Sequence, residues 1–86
     1  MKIIFKKRFV KQYQKLNKVG KMKVDDAIRR FWVNPVDPML LDHVLRGKLV
    51  NMRSISAGFD LRLVFEVKGD YVVVIMLAVG SHNQVY

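Results

Sequence analysis

Hydrophobic and polar positions alternate from Leu61 to Val67: Leu61, Leu63, Phe65 and Val67 share one face, while Arg62, Val64 and Glu66 share the other. This period of two predicts a strand with one well-buried side. Lys68-Gly69-Asp70 reads as a turn. Tyr71 to Val79 then runs without a polar residue after Tyr71, which predicts a return strand covered on both faces. A three-residue loop pairs Val67 with Tyr71 and places Asp60 opposite Ala78 and Arg62 opposite Met76. Asp60 and Arg62 then share a strand face beside the polar tail Gly80-Ser81-His82-Asn83-Gln84-Val85-Tyr86.

Upstream, Lys2-Ile3-Ile4-Phe5 predicts a first strand. From Lys6 to Lys18, Phe9, Tyr13 and Leu16 recur at helical spacing, with Val10 beside them. Val19-Gly20 is expected to end that helix, with Gly20 in a left-handed cap. A second helix is expected from about Met22 to Trp32, with Val24, Ala27, Ile28 and Phe31 inward, Asp25 and Asp26 near its start, and Asn34-Pro35 as its stop. Val33 to Asp42 reads as a connector in which Met39-Leu40-Leu41 makes a helical turn. Asp42 to Leu49 reads as irregular, Met52 to Ser56 as a strand, and Ala57-Gly58-Phe59 as the turn into the hairpin. The pattern predicts an α+β domain of order β-α-α-β-β-β: an N-terminal strand and an α-helical hairpin packed on a small antiparallel sheet.

Eighty-six residues suit one domain, 1–86, and the hydrophobic fraction of 51% suits a packed core. The absence of cysteine excludes disulfides and thiolate sites. No apolar run approaches the roughly 20 residues that cross a bilayer, and no signal-peptide pattern opens the chain, so a cytoplasmic protein without membrane contact is expected. Sixteen Lys and Arg against seven Asp and Glu give a net charge of +9, and eleven of the sixteen cations precede Phe31. That balance favours a polyanionic partner, nucleic acid first and an acidic protein second.

Three blocks carry a resemblance: Asp42-His43-x-Leu45-x-Gly47, Phe59-Asp60-x-Arg62-Leu63-Val64-Phe65, and Gly80-Ser81-His82-x-x-x-Tyr86. With the basic charge and the element order, they make the chain similar to the RelE/ParE toxin superfamily, and within it to the YafQ-like branch. The resemblance implies a RelE-like fold and a type II toxin that cuts mRNA in the ribosomal A site. It also implies a cognate antitoxin, whose complex with the toxin binds its own promoter DNA through the antitoxin. Carried over by position, the catalytic set falls on His43, Asp60, His82 and Tyr86, while Arg62 matches the strand arginine of RelE proper. The YafQ pattern has one more histidine on the strand before the hairpin, where this chain reads Arg53-Ser54-Ile55-Ser56-Ala57. Which imidazole donates and which accepts is therefore open.

RNA cleavage without a cofactor needs a base for the 2′-hydroxyl, charge stabilisation at phosphorus and an acid for the 5′-oxygen. Histidine suits the proton transfers and arginine the phosphate. His82 and His43 are the proton-transfer candidates, and His43 is alternatively a loop residue bonded to backbone. Asp60 either orients an imidazole or pairs with Arg62. Arg62 either binds phosphate or pairs with Glu66 or Asp60. Tyr86 either stacks on a base, contacts phosphate or frays as a terminal residue, and Arg46, Lys48 and Arg53 ring the site as RNA backbone contacts. Two histidines nearly forty residues apart, without cysteines, make no metal centre. Two other readings remain: a non-enzymatic ParE-like inhibitor of DNA gyrase, and an inactive corepressor bound to its antitoxin.

Overall fold

The computed structural model describes residues 1–45, 47 and 51–86. The first strand, β1 (Lys2–Phe5), leads into two helices, α1 (Lys7–Gln14) and α2 (Lys18–Val33). A 3₁₀ turn, Pro38–Leu40, precedes the strands β2 (His43–Val44), β3 (Met52–Ser56), β4 (Arg62–Lys68) and β5 (Val73–Gly80), and a last helical turn, α3 (His82–Val85), follows. The strands form one sheet in the order β1-β5-β4-β3-β2.

The fold class and the order of the principal elements are as the pattern predicts. The sheet itself is mixed, because β1 joins β5 in parallel while the other pairs are antiparallel. The short β2 is an additional edge strand in the segment expected to be irregular. The α1–α2 hairpin carries the chain from one edge strand to the other, so the helices lie across one face. Val24, Ala27 and Phe31 of α2 meet Ile55, Leu63, Phe65, Val74, Met76 and Val79 in the main core, with Phe9 of α1. Phe31 and Phe65 are fully buried and stack edge-on, with centroids 5.0 Å apart. Burying each contributes about 1.5–3 kcal/mol relative to exposure.

The helix boundary differs from expectation for a local reason. Asn17 caps α2 by accepting a hydrogen bond from Gly20 N at 2.7 Å, so the helix begins at Lys18 and Gly20 lies in its first turn. A Cβ on Gly20 would lie 3.2 Å from Asn17 Oδ1 and 3.3 Å from Leu16 Cβ; close approach, not a left-handed cap, is its reason. Asp25 and Asp26 therefore sit mid-helix. Asp25 accepts a hydrogen bond from Tyr13 of α1 at 2.7 Å, and Asp26 pairs with Arg30 at 2.9 Å. The expected stop at Asn34-Pro35 holds.

The hairpin register also differs. Val67 pairs with Val74, because Gly69 to Val72 form the turn and Val72 N bonds Gly69 O. Tyr71 is drawn into that turn by its ring, which packs against Phe31, and by its hydroxyl, which donates to Asp42 at 2.9 Å. A bulge between Val64 and Phe65 then leaves Leu77 as an extra residue on β5. Beyond it the alternation inverts: Val74 and Met76 face the helices before the bulge, and Val79 faces them after it. Arg62 is consequently opposite Gly80, and Ala78 opposite Val64. The far face of β5 is only partly covered, since Val73, Ile75 and Leu77 are half-buried.

Candidate active site

The face away from the main helices carries a small second core, in which Val85 of α3 packs with Val64, Ala78 and Leu45, with Met52 at its margin. Val85 is buried while His82, Asn83 and Gln84 around it are exposed, so α3 is a lid turn held by one apolar anchor. Its start is fixed by a reciprocal cap between Ser81 and Gln84, in which Gln84 Oε1 accepts from Ser81 N at 2.8 Å. Gly80 leaves room for that side chain: a Cβ there would stand 2.7 Å from Gln84 Oε1. Arg8 ties α3 to α1 by donating to the Gln84 carbonyl at 3.2 Å.

The sheet register gathers the candidate residues on this face. His43 pairs with Ser54, Ser54 with Val64 and Val64 with Ala78, forming one row across four strands. Adjacent strands are about 4.8 Å apart, so His43 and Ser54 stand side by side. The Tyr86 hydroxyl reaches over β4 and donates to Ser54 Oγ. The His82 ring meets the Tyr86 ring edge-on with centroids 4.5 Å apart, as positions four apart in a helical turn allow. In the next row, Ser56 pairs with Arg62 and Arg62 with Gly80, directly before Ser81 and His82. His43, His82, Tyr86 and Arg62 thus share one side and one end of the sheet.

Bonding partners refine the roles open to each group. His43 Nδ1 lies 3.0 Å from the Leu41 carbonyl oxygen. A carbonyl only accepts, so Nδ1 carries the proton and Nε2 remains the acceptor of the neutral ring. Leu41 adopts φ 52°, the left-handed conformation from which its carbonyl meets the ring. Arg62 Nη1 donates to the carbonyls of Phe59 and Leu61, each at 3.1 Å, and to Ser56 Oγ at 3.4 Å. Neither anticipated ion pair of Arg62 is present: Glu66 pairs with Lys68 at 2.8 Å, and Asp60 lies in the exposed turn before β4 rather than on its face.

Arg53 stands apart from the cluster. On β3 it alternates with Ser54, so it points to the helix side, where its Nε meets Asp42 at 3.0 Å. That carboxylate and the Tyr71 phenol hold Arg53 charged, its guanidinium above its ordinary value chiefly through the Asp42 hydrogen bond. Arg46 and Lys48 lie outside the described residues. Ser54 was not a sequence candidate, yet it is fully buried and holds Tyr86. Its central place on β3, on the face it shares with Met52 and Ser56, was the available signal.

The chain matches the family model described as ParE toxin of type II toxin-antitoxin system, parDE, over residues 3–86. No curated protein sequence matches it. Among solved structures, a copper-bound mutant toxin from Helicobacter pylori is 32% identical over 100% of this chain and 99% of its own, with TM-score 0.80. A YoeB/ParE toxin from Agrobacterium tumefaciens is 20% identical over 95% of this chain and 99% of its own, with TM-score 0.78. YafQ in the Escherichia coli DinJ-YafQ toxin-antitoxin complex is 16% identical over 98% of this chain and 94% of its own, with TM-score 0.76. The last two share the fold, whereas the family match and the Helicobacter toxin extend to the sequence itself. The chain belongs to the ParE toxin family of type II toxin-antitoxin systems, in the RelE/ParE superfamily.

Proposed function

We propose that this toxin is an endoribonuclease that cuts ribosome-bound mRNA by acid–base catalysis. The observation that carries the reading is the carbonyl of Leu41 on Nδ1 of His43, which leaves Nε2 as a proton acceptor one strand from the Ser54–Tyr86–His82 group. His43 Nε2 removes the proton of the 2′-hydroxyl, and the oxygen attacks the adjacent phosphorus. The bond to the 5′-oxygen breaks, leaving a cyclic phosphate, and His82 in its protonated form supplies the proton that the 5′-oxygen takes. Arg62 meets the charge that builds on the phosphate oxygens, and Tyr86 lines the same space. Asp60, in the turn, bears on substrate position rather than on either imidazole.

The partner is a cognate antitoxin, as DinJ is for YafQ. The +9 charge favours an acidic segment, and the joint complex binds its promoter through the antitoxin. The description of the matched family favours a second reading, a ParE-like inhibitor that acts on DNA gyrase by binding. Primer extension on transcripts from cells expressing the toxin separates them. New 5′ ends that vanish with His82→Ala or His43→Ala, each lowering cleavage about 10²- to 10⁴-fold, support the nuclease. DNA breaks without transcript cuts support the inhibitor. Neither effect, with intact folding, indicates the corepressor.

A further inference from the structure

The turn between β3 and β4 sets a residue against its backbone. Leu61 N donates to the Gly58 carbonyl at 3.0 Å, which makes Phe59 and Asp60 the two central residues of a tight turn. Phe59 takes φ 47°, at a position where hairpin turns call for glycine. A bulky aromatic in that region is strained. Tyr71 is held in the same region at φ 70°, but there its packing on Phe31 and its bond to Asp42 compensate. Phe59 has less return: it is 89% exposed, and its ring lies beside the Lys23 ammonium, 4.5 Å from the centroid.

The backbone that carries the ring is nevertheless held. Arg62 fixes the turn by donating to the carbonyls of Phe59 and Leu61. Phe59 also borders a groove whose apolar lining includes Leu16, Val19 and Leu61 and whose polar lining includes Lys15, Lys23, Asp60, Ser81 and Gln84. The groove therefore runs from an open aromatic face beside the Lys23 ammonium, past Lys15, to the residue preceding His82. Aromatic faces beside cations are what single-stranded RNA recognises, by stacking of bases and neutralisation of phosphates. Asp60 is the one anion in this lining and accepts hydrogen bonds from ribose hydroxyls or base amino groups.

Resting on the nuclease reading, we infer that Phe59 is a base-stacking subsite for the RNA strand whose scissile phosphate lies at His82 and Arg62. A base flanking the cut stacks on the ring, and Lys15 and Lys23 meet the neighbouring phosphates. The misfit between Phe59 and its turn is retained because the ring serves the ligand rather than the fold.

The test uses a short single-stranded RNA carrying 2-aminopurine, titrated into the His82→Ala protein so that it is bound and not cut. Fluorescence quenching on binding, an affinity about 5- to 100-fold weaker in Phe59→Ala, and retention in Phe59→Trp are expected. Phe59→Gly, which suits the turn, is expected to raise Tm by a few degrees while weakening RNA binding as much as alanine does. No binding by the parent, equal affinity in Phe59→Ala, or a lower Tm in Phe59→Gly overturns the subsite. Loss of antitoxin affinity alone in Phe59→Ala assigns the ring to a protein contact and overturns it equally. The two readings fail separately: cutting by the wild type with Phe59-independent affinity removes the subsite alone, whereas Phe59-dependent binding without any cutting by the wild type removes the nuclease and keeps the RNA contact.

Discussion

Tyr86 donates its hydroxyl hydrogen bond to Ser54 although 32 residues separate them, and this contact draws α3 down over the sheet beside His43. Ser54 is fully buried, whereas Tyr86 is 40% exposed. Ser54→Ala therefore frees the phenol to bond water, and the loss of stability is expected to be only about 1 kcal/mol in urea unfolding. Cleavage is expected to fall on the order of 10- to 100-fold, because Tyr86 and the His82 ring against it lose their fixed position. Tyr86→Phe should have a similar effect, and the double mutant should add little to either single change. Full additivity of the two would show that the bond does not act as a unit.

Gly80 tests the other support of α3. An alanine Cβ at this position would stand 2.7 Å from Gln84 Oε1, the atom that accepts from Ser81 N. The side chain of Gln84 must swing away, and the cap at the start of α3 opens. Gly80→Ala is expected to leave the main core intact and to destabilise the protein by about 1 kcal/mol, the usual scale of a lost cap. The activity assay should show a drop comparable to Ser54→Ala. Unchanged cleavage with unchanged Tm would mean that α3 adjusts freely around the new methyl group.

Periodicity made the layers of this fold legible, because Leu63 and Phe65 on β4 and Val24, Ala27 and Phe31 on α2 are buried for the reason their spacing announced. Register was less legible. It was set by one tertiary bond, from Tyr71 to Asp42, and by a bulge at Leu77, and neither leaves a mark in local hydrophobicity. The same limit applied to chemistry. His43, His82, Tyr86 and Arg62 could be nominated from residue type and family pattern, but the use of Nδ1 of His43 depends on the left-handed turn at Leu41, which no apolar spacing encodes. Arg53 was nominated as an RNA backbone contact, but Asp42, the residue before β2, holds it on the helix side.

That ion pair predicts a structural cost beside the site. The Asp42 side chain is 10% exposed, and it accepts from both Arg53 and Tyr71. Removing it in Asp42→Ala leaves a half-buried guanidinium and a phenol without their partner, a loss of about 2–4 kcal/mol. Tyr71→Phe removes one hydrogen bond and should lose only about 1 kcal/mol. Because Asp42 adjoins His43 on the two-residue strand β2, Asp42→Ala should also lower cleavage below what the unfolded fraction accounts for. Chemical denaturation read alongside cleavage by folded protein checks both.

The same phenol gives the protein an alkaline weakness. Burial, then the hydrogen bond to Asp42, raise the Tyr71 pKa above its ordinary value of 10.0. In the unfolded chain the phenol ionises near 10, so between that value and the higher folded one the unfolded state has already released its proton while the folded state still holds it. Stability from this group is therefore complete below about pH 10 and is lost as pH rises through the folded pKa. Lys68, raised by its hydrogen bond to Glu66, acts in the same direction. Urea unfolding measured at pH 9, 10 and 11 is expected to show a falling midpoint, with a shallower fall in Tyr71→Phe that does not vanish because Lys68 remains. An equally steep fall in Tyr71→Phe would mean that the phenol is not protected by folding, and that the Asp42 contact does not persist in solution.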